Sequence, residues 1–162
     1  MEGSKRDTKS IGDRSELEVI LALVRAGYLV SVPFGENHRY DLIAEKDNVL
    51  SRIQVKTGRL RDGVILFKCY STHSHRGGPS RRLYTGEIEY FAIYCRETDG
   101  VYMIAVNGSE PKGALRAKPT RNRQAKRIHW AEDYLLEGSH DESRDCPAQR
   151  SMLGDAEGAA PS

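Results

Sequence analysis

Between Arg39 and Thr57 the chain reads Arg-Tyr-Asp-Leu-Ile-Ala-Glu-Lys-Asp-Asn-Val-Leu-Ser-Arg-Ile-Gln-Val-Lys-Thr, two strand-like segments about a polar Asp47-Asn48 turn. Asp and Asn tolerate the left-handed dihedrals of tight hairpin loops, so the stretch predicts a β-hairpin. A loop of those two residues, or of the four from Lys46 to Val49, pairs residues whose numbers sum to 95 and sets Asp41 opposite Gln54. Side chains alternate across a strand with period two, so the register sorts both faces at once. One face collects Leu42, Ala44, Ser51, Ile53 and Val55 and is suited to a core. The other collects Asp41, Glu45, Arg52, Gln54 and Lys56, with Ile43 and Leu50 nearer the turn.

An acid, an amide oxygen and an ammonium thus converge at the open end of one hairpin, with opposed Cβ atoms roughly 5 Å apart. Magnesium takes oxygen ligands, keeps several waters and is held by one or two carboxylates plus substrate phosphate oxygens. Asp41 and the Gln54 side-chain oxygen suit such an ion, and a neighbouring backbone carbonyl supplies a third ligand. Lys56 places positive charge where a scissile phosphate or an attacking water would sit. The chemistry this suggests is metal-assisted phosphodiester hydrolysis. The same residues also fit a sheet surface with cross-strand hydrogen bonds and no chemistry, and a one-residue slip would disperse the set.

A chain of 162 residues has room for one domain with a genuine core. Residues 1–136 are expected to form it, with residues 137–162, rich in Gly, Ser, Ala and acid, as a disordered tail. From Glu137 onward six acidic residues face two basic ones, a balance of −4 against a whole-chain charge of +2, which leaves +6 for residues 1–136. A basic body suits a phosphate backbone. Cys69, Cys95 and Cys146 lack the paired spacing of a zinc site or a disulfide framework and read as reduced thiols. No apolar run approaches the length of a membrane span, and the first residues lack the apolar core of a signal peptide. A cytoplasmic protein with no membrane partner is therefore expected.

In chain order, residues 13–25 carry an apolar stripe that predicts a helix ended by Gly27, with Asp13 and Glu16 spaced as a capping pair. Residues 28–32 read as a short strand and 33–38 as a loop. A basic turn over residues 59–63 and a strand over 64–70 follow the hairpin. Residues 71–82, rich in Gly, Ser, His and Arg, read as a mobile loop that approaches DNA through Arg76, Arg81 and Arg82. A second hairpin, residues 89–95 and 101–106, is the most hydrophobic part and belongs mid-sheet, its aromatic residues in the core. Lys112, Arg116, Lys118, Arg121, Arg123, Lys126 and Arg127 then give seven basic residues with no acid between them, a block suited to phosphate contact. Residues 128–136 predict a short closing helix.

The succession of helix, strands, Asp41 and then Gln54-Val55-Lys56 resembles the PD-(D/E)xK nuclease superfamily. More narrowly, residues 39–42 and 53–57 resemble the bacterial homing endonucleases encoded in group I introns, whose fold is similar to that of Holliday junction resolvases. The resemblance covers roughly residues 10–107. It implies an α/β, restriction-endonuclease-like core with a mixed central sheet flanked by helices. It also implies an active centre of Glu16, Asp41, Gln54 and Lys56, with Glu16 joining Asp41 and Gln54 at the metal. Tyr40 stands where the superfamily motif has proline, and Gln54 stands where most members have an acid, as in the intron-encoded branch. The expectation is a magnesium-dependent endonuclease, with manganese as a substitute, acting on double-stranded DNA at specific sites. Cutting both strands with one site per chain implies a homo-oligomer, a dimer or a tetramer. The alternatives are a junction-selective nuclease and a non-catalytic DNA-binding module of the same fold.

Overall fold

The computed structural model describes residues 7–35, 37–75, 78–106, 113–119 and 128–137. The chain begins with helix α1 (Thr8–Arg25), capped by Asp7, whose Oδ1 accepts from the Ser10 N–H at 3.2 Å. The helix therefore starts more than a turn before Asp13, and the capping pair read from Asp13 and Glu16 does not exist. Glu16 lies in the third turn, where backbone donors are already satisfied within the helix. At the other end Gly27, with φ +83, accepts the left-handed step. The Gly27 and Tyr28 N–H groups return to the Val24 and Leu23 carbonyls at 3.0 Å each, closing a Schellman motif.

The sheet is organised around β3 (Val49–Arg61), which outruns the predicted strand because backbone pairing continues past Thr57. Strands β1 (Leu29–Ser31) and β2 (Leu42–Lys46) pair antiparallel to each other, and β2 to β3, with Leu42 opposite Ile53 and Lys46 opposite Val49. The turn is the expected one, with φ of +53 at Asp47 and +62 at Asn48. β3 then turns at Asp62-Gly63 into β4 (Val64–Leu66), a shorter strand than the sequence suggested, which pairs with β9 (Ala114–Arg116). Strands β7 (Tyr90–Cys95) and β8 (Gly100–Ala105) form the second hairpin. β7 runs parallel to β3, from Ile53 opposite Tyr90 to Gly58 opposite Cys95, so the sheet is mixed.

Residues 71–82 are not an irregular loop. β5 (Ser71–His75) and β6 (Gly78–Arg82) form an antiparallel ribbon of their own. Such a ribbon is made by backbone pairing and needs no apolar alternation, which is why hydrophobic periodicity missed it. The predicted closing helix shrinks to one 3-10 turn (Ala131–Tyr134). Trp130 and Leu135, on either side of it, bridge to Arg116 and Tyr102 and are held extended.

Period-two burial places a core on each face of the sheet. Val19, Ala22 and Leu23 of α1 pack with Leu42, Ala44, Ile53, Val55, Ala92, Tyr94 and Val101. On the reverse face Phe91, Ile93, Cys95, Tyr102 and Ile104 meet Ile65, Leu115, Tyr84, Ile88 and Ala131. The flanking layers are therefore unequal: α1 covers one face, and strands, loops and the 3-10 turn cover the other. Among the described residues no helix is long and apolar enough to cross a membrane. The tail beyond residue 137 lies outside the described residues.

β3 passes close over the second core at Gly58, where an added Cβ would stand 2.8 Å from both Ile65 Cγ2 and Ile93 Cγ2. Gly58→Ala is expected to destabilise the fold by about 1–3 kcal/mol, the usual cost of overpacking. Denaturant melts check this, and an unchanged midpoint would show that the two isoleucines yield.

Candidate active site

The candidate site is made where β2 parts from β3. In the sequence-derived register Asp41 should face Gln54, but its N–H bonds the Ile53 carbonyl at 2.9 Å, and Ile53 already faces Leu42. Two residues of one strand thus oppose one of the other, the arrangement of a β-bulge, which bends a strand and re-aims a side chain. The Asp41 carboxylate turns into the gap and takes the Val55 N–H on Oδ2 at 2.7 Å. The Gln54 side-chain amide donates to the same oxygen. Asp41 and Gln54 do meet, through side chains and not through paired backbone.

Gln54 and Lys56 lie on the face of β3 opposite to α1, because their neighbours in the β7 register, Phe91 and Ile93, belong to the second core. Glu16 approaches from the α1 side. Its position is set by its neighbour Ser15, a buried polar residue whose hydroxyl stands 2.7 Å from Thr57 Oγ1 and pins the helix to β3. Ser15 also donates to the Ile11 carbonyl at 3.0 Å. The bulge lets a helix residue and two strand residues from opposite faces address one carboxylate.

Burial first, then the charges of Asp41 and Asp13, push the Glu16 carboxyl above its ordinary range. Burial also pushes Asp41 up, against the Val55 N–H, Lys56 and Gln54, which pull it down. Two partly desolvated carboxylates, the charge of Asp41 raising the proton affinity of Glu16, are relieved by a cation. Among the described residues no hydrogen bond reaches Asp41 Oδ1 or the Glu16 carboxylate. No three His, Cys, Asp or Glu side chains cluster at metal-ligand spacing among the described residues. Two carboxylates and an amide are the kind of donor set that magnesium accepts when water and phosphate complete its shell.

The Lys56 ammonium donates to the Tyr84 hydroxyl at 3.2 Å. Arg39 Cζ stands 4.1 Å over the same ring and bonds Ser71 Oγ at 2.9 Å, the Leu83 carbonyl at 2.8 Å and the Glu87 carboxylate. Glu87 also accepts from Arg82. Its carboxyl is held below the usual range chiefly by Arg39. Neither Tyr84 nor Glu87 was singled out in the sequence, because their positions relative to Lys56 follow from the β6–β7 connection and not from any spacing.

Of the residues expected to touch DNA, Arg81 and Arg82 lie on β6, with Arg81 Cζ 4.6 Å over the Tyr70 ring and Arg82 paired to Glu87. Arg116 and Lys118 lie by the β3–β4 turn: Arg116 faces Val64, and the Lys118 N–H bonds the Gly63 carbonyl at 3.1 Å. Four strand residues separate Lys56 from Arg61 at that turn, five steps of about 3.3 Å or about 16 Å, so the structure does not bring Arg116 and Lys118 beside Lys56. Arg76, Lys112, Arg121, Arg123, Lys126 and Arg127 lie outside the described residues.

A family model described as PD-(D/E)XK endonuclease matches residues 6–137, a span that contains all four candidate site residues. Among solved structures the chain is similar to a bacterial homing endonuclease, I-Ssp6803I. The TM-score is 0.62 at 22% identity, over 82% of this chain and 89% of that one. At that identity the likeness is one of fold. No curated protein matches the sequence.

The raised Glu16 and Asp41 carboxyls bind protons more tightly in the folded chain than in the unfolded one. Their contribution to stability is present below the unfolded pKa, about 4, and is lost as pH rises through the raised folded values. Asp41→Asn, which cannot ionise, is expected to raise the melting temperature of the metal-free protein at neutral pH relative to wild type and to leave it nearly unchanged at acid pH. Paired thermal melts in chelator check the sign. A variant less stable at neutral pH would show that the carboxylate charge is already compensated.

Proposed function

The chain belongs to the PD-(D/E)XK endonuclease family, and from that premise we propose that it is a magnesium-dependent endonuclease that cuts double-stranded DNA at specific sites. Nucleases of this family generally use divalent metal ions. The observation that carries the reading is the meeting of Asp41, Gln54, Lys56 and Glu16 about one bulge between β2 and β3, inside the matched span. Specificity for a site is drawn from the resemblance of residues 39–42 and 53–57 to homing endonucleases, and the experiment below examines it separately.

Asp41 and Glu16 would hold the ion, with the Gln54 amide oxygen as the third donor from this chain. When bound, the ion neutralises charge on the scissile phosphate and lowers the pKa of the attacking water. Asp41 is kept in place by the Val55 N–H and by the Gln54 amide, so its free oxygen keeps one direction. Lys56 donates to a nonbridging phosphate oxygen or to the attacking water and offsets the negative charge that grows during attack. Helix α1 sets the depth of Glu16 through the Ser15–Thr57 contact. Arg81 and Arg82 on one side and Arg116 and Lys118 on the other contact the phosphate backbone, which fixes register and not sequence. Two copies are proposed to act on the two strands.

The test is metal-dependent cleavage of a pool of randomised duplexes spiked with a four-way junction. Cleavage should require magnesium or manganese, and Lys56→Ala should lower it by about 10²–10³-fold, the loss typical of one charge-stabilising donor. Selection of particular duplexes supports site specificity, and selection of the junction gives a junction-selective enzyme. DNA binding with no cleavage above the Lys56→Ala background would make the chain a non-catalytic module. Glu16→Ala should lower cleavage with the melting temperature held to within a few degrees, whereas equal loss of both would make Glu16 structural. Light scattering with and without DNA should report at least a dimer, and one monomeric mass in both would refute that part.

A further inference from the structure

We propose that Tyr84 is a positioning residue for this hydrolysis: its hydroxyl holds the Lys56 ammonium in the active centre, while its ring, stacked under Arg39, anchors that hold to the β5–β6 ribbon. The inference rests on the reading of Lys56 given above and extends it to a residue outside the family motif.

Lysine carries its charge on a flexible four-carbon stem, so a lysine that must act at one point needs something to stop it wandering. Here the Lys56 ammonium is 3.2 Å from the Tyr84 hydroxyl and 4.9 Å from the ring centroid. One of its three N–H donors is spent on Tyr84, and two stay available for a phosphate oxygen and a water. The hydroxyl therefore selects one orientation of the ammonium without consuming its capacity.

Tyr84 can do this because it is itself fixed. It is 4% exposed and meets Phe91 edge to face, with centroids 5.4 Å apart at 85°. Phe91 lies beside Gln54 in the β3–β7 register, so one stack supports both the lysine and the amide that holds Asp41. The Tyr84 carbonyl accepts the Glu87 N–H at 2.9 Å across a turn whose third residue, Gly86, takes φ +77, a step that suits glycine. Arg39, two residues before Asp41, stands over the ring at 4.1 Å and reaches both ends of the ribbon segment through Ser71 and Leu83.

Tyr84→Phe removes the hydroxyl and keeps the ring, its contact with Phe91 and its stacking on Arg39. The variant is expected to lower kcat about ten-fold, the effect of losing one well-placed hydrogen bond, with KM and DNA affinity within about two-fold of wild type. Tyr84→Leu should lower kcat further and also lower the melting temperature. A Tyr84→Phe enzyme with wild-type kcat, beside an inactive Lys56→Ala, would overturn the positioning role and leave the nuclease reading intact. A second measurement does not depend on turnover. In the metal-free protein the Lys56 side-chain ammonium should give a protected nitrogen NMR signal that Tyr84→Phe abolishes. A signal as mobile as those of surface lysines, or unchanged in the variant, would overturn the contact even if the wild type cut no DNA.

Discussion

The hydrogen bond from the Val55 N–H to the Asp41 carboxylate is the contact on which the candidate site depends. An antiparallel pair normally spends its inward backbone donors on the facing strand. Here the bulge at Asp41 removes the facing residue, and a side chain takes the donor instead. The exchange satisfies the backbone of a central strand, which would otherwise carry an orphaned group at a cost of about 1–3 kcal/mol. It also places a carboxylate in the plane of the sheet, within reach of both faces. Had β2 simply continued alongside β3, that gap would not exist and Glu16 would be screened from Lys56 by the sheet.

Two attachments keep the two sides in step. On the α1 side the buried Ser15 hydroxyl and Thr57 make a polar contact inside an apolar layer, where such a contact has few alternatives and so fixes the helix's position along β3. On the reverse side Arg39, Tyr84 and Glu87 join the approach to Asp41 with the start of the β5–β6 ribbon. A further tie, from Arg52 to Glu89, holds the start of the β3–β7 pair: the Glu89 carboxylate takes the Arg52 backbone N–H and its guanidinium at 2.6 Å each, and the Glu89 N–H returns to the Arg52 carbonyl at 3.0 Å. Parallel pairs have no tight turn to set their register, so an ion pair at the entry serves that end.

Much of this was legible beforehand. The Asp47-Asn48 turn and the apolar alternation of Leu42, Ala44, Ile53 and Val55 predict the hairpin and its register from Leu42 to Lys46, because both are properties of neighbouring residues. The second hairpin was readable for the same reason. Asp41, Gln54 and Lys56 could be grouped from the hairpin alone, and Glu16 only by resemblance to a family. The errors have physical causes. Asp13 looked like a cap because Asp7 lies among polar residues that carry no periodic signal, yet the helix extends to it. The β5–β6 ribbon escaped because its strands are held by backbone bonds and by Arg39, which leave no apolar period in the sequence.

The sequence by itself determined the two hairpins, the body of helix α1, the turn chemistry and the identity of the polar residues that one hairpin must bring close, since all of these follow from local dihedral preference and side-chain period. The tertiary structure decided how those residues meet. The one-residue offset at Asp41, the depth of Glu16 and the seating of Lys56 on Tyr84 each join segments far apart in the chain. Such contacts depend on how layers pack and where a strand departs from its neighbour, and no local pattern encodes either.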